Sequence, residues 1–148
     1  MVKVKALIVY DTKFGNTKKV AELIADGVKS VEENEVEINH VNDFDLSKDE
    51  VYDLIVIGSP NHAGTYTGKV KKFIKKFSNA PVKGKSFAVF DTYQSKTIVD
   101  KLEKQLKEKV PDMKMALSGL SIKVTGMKGP ILEEDLPKCM EFGKQLTK

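Results

Sequence analysis

Tyr10-Asp11-Thr12-Lys13-Phe14-Gly15-Asn16-Thr17-Lys18-Lys19-Val20 (YDTKFGNTKKV) separates an apolar run from a helix-like pattern. Lys3 to Tyr10 is short, rich in Val, Leu and Ile, and ended by polar residues, which predicts a buried strand. From Asn16 onward Val20, Leu23, Ile24, Val28 and Val31 fall on one helical face. The loop between them is small and polar, with Thr12, Gly15, Asn16 and Thr17 at the start of a helix. Free backbone N–H groups and two hydroxyls placed there suit a terminal phosphate at the positive helix end, with no cation required.

Outward from this stretch the same alternation repeats. Val36, Ile38 and His40 alternate with Glu35, Glu37 and Asn39, as in a half-exposed edge strand, and His40 is expected there as a structural residue far from the loops. Val51 to Pro60 (VYDLIVIGSP) and Ser86 to Thr92 (SFAVFDT) read as buried strands, and Leu120 to Val124 as the last strand. Val70, Phe73, Ile74 and Phe77 mark one further helix. Ile98, Val99, Leu102 and Leu106 mark another over about 96–109, supported by the Glu103–Lys107 pair and stopped by Pro111. A last helix carries Leu136, Met140 and Leu146; Pro137 requires it to start near Glu134. The segment NDFDLSKDE between the second and third strands is irregular, so a helix there is expected to be lost or rudimentary. Alternation of this kind predicts an α/β fold with a parallel sheet and helices on both faces. Ligands bind such sheets at the carboxyl ends of the strands, where loops 11–17, 59–66 and 91–95 should meet.

The 148 residues suit a single domain, 1–148, with a sizeable core. All 25 basic residues are lysine, which argues against arginine-dependent readout of bases, and the net charge of +4 does not require nucleic acid. No apolar run has the length of a membrane span, and the opening MVKVKALIVY has no separate apolar core or cleavage site, so no signal peptide is expected. Cys139 is alone, which fits a reducing cytoplasm, and it is expected to be a small core residue. No metal site is expected.

Two familiar phosphate motifs fail. A dinucleotide fingerprint wants G-x-G-x-x-G after the first strand, where only Gly15 stands; GTYTGKV (Gly64 to Val70) has the wrong spacing and ends in Val70 for a Walker loop. A phosphorylated receiver domain needs an aspartate ending the third strand and an acidic pair after the first, whereas Gly58 ends the third strand here and Asp11 has no acidic neighbour.

Thr12-Lys13-Phe14-Gly15-Asn16-Thr17 matches the T/S-x-x-G-x-T phosphate loop of flavodoxins. GSPNHAGTY (Gly58 to Tyr66) and FDTYQS (Phe90 to Ser95) stand where that family's flavin loops lie, and VTGMKGPILEEDL (Val124 to Leu136) also looks like a segment of small flavodoxin-like proteins. The chain thus resembles the short-chain flavodoxin-like family over essentially its whole length. The resemblance implies a doubly wound, five-stranded parallel sheet of order 2-1-3-4-5 and an FMN cofactor. It implies that Thr12 and Thr17 give hydroxyls to the phosphate while Lys13, Phe14, Gly15 and Asn16 give backbone N–H groups. It also implies that Ser59, Pro60, Asn61, His62, Ala63 and Gly64 line one side of the flavin ring and Asp91, Thr92, Tyr93 and Gln94 the other. Flavodoxins turn a backbone carbonyl toward the ring, and Ala63-Gly64 is the matching peptide because glycine tolerates positive φ. The chain departs from the family in lacking tryptophan, so Tyr93, His62 or Tyr66 must stack on the ring, and in being basic overall.

The function implied is an electron carrier between redox enzymes, with no catalytic residue of its own; the alternative is an FMN-dependent oxidoreductase of quinone or protoporphyrinogen type on the same scaffold. A flavodoxin-like module without FMN is the remaining reading, against which the intact first loop argues. Lys69, Lys71, Lys72, Lys75 and Lys76 crowd one helix beside the flavin loop and suggest docking to an acidic redox partner.

Overall fold

The computed structural model describes residues 3–31 and 33–148; the first two residues of the opening MVKVKALIVY lie outside them. In chain order the elements are β1 (Lys5–Tyr10), α1 (Asn16–Lys29), β2 (Glu35–His40), β3 (Val51–Pro60), α2 (Gly68–Phe77), β4 (Lys83–Tyr93), α3 (Val99–Lys109), β5 (Lys114–Met115), β6 (Leu120–Lys123) and α4 (Leu136–Leu146). All pairings between these strands are parallel, in the order β2-β1-β3-β4-β5, with β6 also on β4. The order matches expectation, but six strands replace five.

The extra strand arises because the outer edge is interrupted. Phe87 faces Met115 and Phe90 faces Leu120, so three steps along β4 oppose five along its neighbour. The surplus bulges out over residues 116–119. There the Glu103 carboxylate accepts a bond from the Gly119 N–H at 2.9 Å, drawing the bulge onto α3.

The sheet is covered on both faces by apolar stripes of complementary period. Ala6, Ile8, Tyr10, Leu54, Val56, Ala88 and Phe90 point toward α1 and α4. Leu7, Val9, Ile55, Ile57, Phe87 and Val89 point toward α2 and α3. Val70, Phe73, Ile74 and Phe77 of α2 are buried as their spacing predicts, each stabilising by roughly 1.5–3 kcal/mol relative to exposure. α1 and α4 approach until their backbones touch at Gly27 and Gly143, where a Cβ would lie 2.0 Å from the Met140 carbonyl and 2.1 Å from that of Ile24. Cys139 is fully buried in this core, and burial pushes its thiol to about 11. The 41–50 connection contains no helix; it folds as turns that bury Val41 and Phe44 in the second core. A 3₁₀ turn (Glu133–Asp135) leads into α4, and Pro137 falls in its first turn. No helix of the described residues is long and apolar enough to cross a membrane.

Candidate functional site

The carboxyl ends of β1, β3 and β4 open into a cavity of about 530 Å³. The first loop supplies Asp11, Thr12, Lys13, Phe14, Asn16 and Thr17 to its wall. Gly15 precedes α1 in the left-handed region (φ 93°), and no side chain caps the helix. A side chain at Gly15 meets open space, so the requirement for glycine is conformational. The Thr12 N–H donates to Asp11 Oδ1 (2.8 Å) and the Gly15 N–H to Thr12 Oγ1 (2.9 Å). The N–H groups of Lys13, Phe14, Asn16, Thr17 and Lys18 have no partner among the described residues. Gly15 therefore differs from the expectation that its N–H is free: the loop spends it on its own turn.

The loop is held from below. His40 Nδ1 accepts from the Asn42 N–H at 3.1 Å, which puts the ring proton on Nε2, and Nε2 donates to Asp11 Oδ1 at 3.0 Å. His40 is thus not remote from the loops. β1 and β2 run parallel with Tyr10 opposite His40, so the two strands end side by side and the imidazole reaches the first loop residue. Thr17 is buried and shares a 2.8 Å hydroxyl–hydroxyl bond with Thr92, joining the first loop to the third.

The second loop contributes Pro60, Asn61 and His62, followed by Thr67, Gly68 and Lys69 at the start of α2. His62 and Thr65 close a tight turn: the His62 N–H donates to the Thr65 carbonyl (2.8 Å), and Thr65 returns the bond (3.2 Å). Its two central residues, Ala63 (φ 53°) and Gly64 (φ 84°), are both left-handed, the geometry of a type I′ turn. Asn61 spans the region. Its N–H donates to the Thr92 carbonyl at 2.9 Å, and its Oδ1 accepts from the Gly64 N–H at 2.9 Å. Ala63 and Gly64 form the tip of the turn rather than the cavity wall.

Ser59 and Asp91 are likewise not on the wall. They share the sheet face of Ile57 and Val89, which looks toward α2 and α3. Ser59 is fully buried, and its Oγ accepts from the Thr67 N–H at 3.0 Å, fixing the start of α2. Asp91 is fully buried, and its Oδ2 accepts from the N–H groups of Ile98 (2.6 Å) and Val99 (3.1 Å), capping α3. Burial raises its carboxyl above the usual range, opposed chiefly by the Ile98 N–H. The Ser121 side chain, its register partner on β6, also lowers the pKa but is not placed to bond to Oδ1, which has no partner among the described residues. Thr92, Tyr93 and Gln94 do line the cavity. Tyr66 packs against the second core instead, so of the three stacking candidates Tyr93 and His62 are on the wall, where Phe14 adds a further ring.

A fourth segment joins the cavity through Val124 and Met127, which neither strand nor helix periodicity marks as lining residues. Val124 pairs with Ile131, and the Thr125 N–H and hydroxyl both donate to the Pro130 carbonyl (2.9 and 2.8 Å), bringing residues 126–129 to the mouth. Among the described residues no cluster of metal-ligating side chains is present.

The arrangement offers an anion cradle at the N-terminus of α1 and, beside it, a cleft with ring-bearing walls. The sequence model of the flavodoxin domain matches residues 7–119. A flavodoxin of Aquifex aeolicus is 44% identical over 71 residues, 47% of this chain and 37% of that protein. The oxidised flavodoxin 1 of Bacillus cereus superposes with a TM-score of 0.76 at 26% identity, covering 97% of both chains. A flavodoxin from the domain Archaea superposes with a TM-score of 0.78 at 24% identity, covering 96% of this chain and 95% of the other. The chain spans 37%, 57% and 36% of the lengths of the curated relatives it matches. The match over residues 7–119 covers well over half of the chain, and on that basis the chain belongs to the flavodoxin family.

Proposed function

We propose that this chain binds FMN and carries electrons between redox proteins. The observation that carries the reading is the first turn of α1. Its free N–H groups, a left-handed Gly15 and the absence of any acidic residue in that turn open directly onto the cavity. This is the donor set a terminal phosphate needs, and among the described residues of the cavity wall the one carboxylate that would repel it is Asp11, which is buried and bonded to His40.

In this reading Lys13, Phe14, Asn16 and Thr17 hold the phosphate through backbone N–H groups, and Thr12 adds its hydroxyl. Thr17 also steadies the site through Thr92. Pro60, Asn61 and His62 form one wall for the ring and Tyr93 and Gln94 the other, excluding water from its faces. FMN, once bound, takes up and releases electrons singly or in pairs. The Ala63–Gly64 peptide is the candidate to turn a carbonyl toward the ring; turning it breaks the Gly64 bond to Asn61 Oδ1, so Asn61 sets how readily it moves. Lys13 and Lys69 leave the walls positive, which would favour added negative charge on a bound flavin.

The purified protein should be yellow and release FMN on denaturation. A colourless protein that is not reconstituted by added FMN defeats the reading. Sustained quinone reduction from NAD(P)H by the protein alone would replace the carrier with the oxidoreductase.

A further inference from the structure

We infer that the cavity rim is a docking face for an acidic electron-transfer protein, with Phe14 and Met127 as its apolar centre and Lys13, Lys69, Lys72, Lys76 and Lys128 as the charges that steer the partner. The inference rests on the electron-carrier reading and adds the chemistry of the partner. Phe14 is 40% exposed and Met127 is 72% exposed, and both stand at the cavity mouth. Two large apolar tips left in water beside a cofactor cleft are an association surface rather than a core. Lys13 lies beside Phe14, its Nζ 5.4 Å from the ring centroid, and exposed Lys128 follows Met127.

α2 begins at the mouth with Gly68 and Lys69. Lys72 and Lys76 continue the line of Lys69 at helical spacing, off the buried stripe of Val70, Phe73, Ile74 and Phe77, while Lys71 and Lys75 occupy the opposite flank. The helix contains no carboxylate, and Lys69 stands in its first turn, where the helix dipole disfavours a cation. Among the described residues none of these lysines is in an ion pair, whereas Lys3, Lys5, Lys48, Lys85 and Lys138 are. Asp11 is the sole carboxylate of the cavity wall among the described residues, and it faces His40. An apolar centre flanked by these lysines selects a partner of the other sign: a protein with carboxylates around its own redox centre is attracted, and a basic one is repelled.

The test uses the FMN-loaded protein, reduced with dithionite and mixed with oxidised plastocyanin, an acidic copper protein, or with cytochrome c, a basic haem protein. One electron passes to each acceptor, copper(II) becoming copper(I) or iron(III) becoming iron(II). Two acceptor molecules return the flavin to its oxidised form, its protons going to the buffer. The rate constant with plastocyanin should fall about tenfold between roughly 10 and 200 mM ionic strength, and that with cytochrome c should rise. Lys72→Glu/Lys76→Glu/Lys128→Glu, which leaves every wall residue intact, should reverse both trends. Lys29→Glu/Lys83→Glu/Lys109→Glu makes the same charge change at the other end of the sheet and should keep the wild-type trends. A rim variant that keeps them, or a control that reverses them, overturns the inference. Amide shift changes on adding reduced plastocyanin should centre on Phe14, Lys69 and Met127; a map centred elsewhere also overturns it. That map requires no electron transfer, so it separates failure of docking from failure to hold flavin, which shows as a missing yellow chromophore.

Discussion

At the amino end of the sheet Lys5 pairs with Glu50, and Lys48 pairs with Glu50 (3.0 Å) and Glu37 (3.3 Å). The hydroxyl of fully buried Tyr52 lies within hydrogen-bond distance of both carboxylates, 3.1 Å from Glu37 and 3.2 Å from Glu50, and shares its one proton between them. At the carboxyl end Lys13, Lys69, Lys72, Lys76 and Lys128 have no ion-pair partner among the described residues, and N–H groups and apolar tips stand open around a cleft. Several lysines serve cohesion at one end, whereas those of the cavity rim are left available for binding. Composition alone hides the difference, because both ends are drawn from the same pool of lysine. Lys5 and then Lys48 hold the Glu50 carboxyl down to about 2, and burial pushes the Tyr52 phenol to about 12.

The comparison breaks most visibly at the pins beneath the cavity. Asp91→Ala should cost about 1–3 kcal/mol in denaturant unfolding, because it leaves the Ile98 and Val99 N–H groups uncapped. An unchanged stability would mean that the start of α3 is held by packing alone. Gly15→Ala should come next. Forcing a Cβ into φ 93° costs about 1–2 kcal/mol, read as roughly tenfold weaker FMN binding in a fluorescence titration. Fully retained affinity would show that the loop relaxes out of the left-handed region.

Tyr52→Phe probes the paired end. It should lower stability by about 0.5–1.5 kcal/mol and leave FMN affinity unchanged; loss of affinity would mean the two ends are coupled. The smallest effect is expected from Glu50→Gln, followed as thermal midpoint against pH. The folded pKa of Glu50 lies below its ordinary 4.5, so its contribution is fully present above that value and is lost as pH falls toward about 2. The gap between wild type and variant should therefore close over that interval, and a gap independent of pH would dissociate Glu50 from the pairing.

Much of this was legible along the chain. The first strand, the turn at Gly15 and the helix that follows are written in short-range terms: an apolar run, a residue free to take positive φ, and an apolar face of helical period. The same holds for the buried stripes of α2 and α3 and for the first turn of α4 around Pro137. The facing of individual loop residues was not legible. β3 and β4 are covered on both sides, so their side chains are apolar in both directions and alternation carries no signal of which face is which. Ser59 and Asp91 for that reason read as cleft residues, yet they point to the helix starts beneath.

Local pattern and turn chemistry were enough for the main helices and strands, the alternation that predicts a parallel sheet and the turn at Gly15, since each depends on residues within a few positions of one another. The His40–Asp11 bond, the Thr17–Thr92 link, the Met127 tip at the cleft and the interrupted outer strand join residues far apart in the chain or depend on how α3 presses on the sheet edge. The parallel crossovers bring these groups together, and only the folded sheet sets their distances. The division among the lysines has the same origin: a charge is paired or left free according to what the fold places beside it.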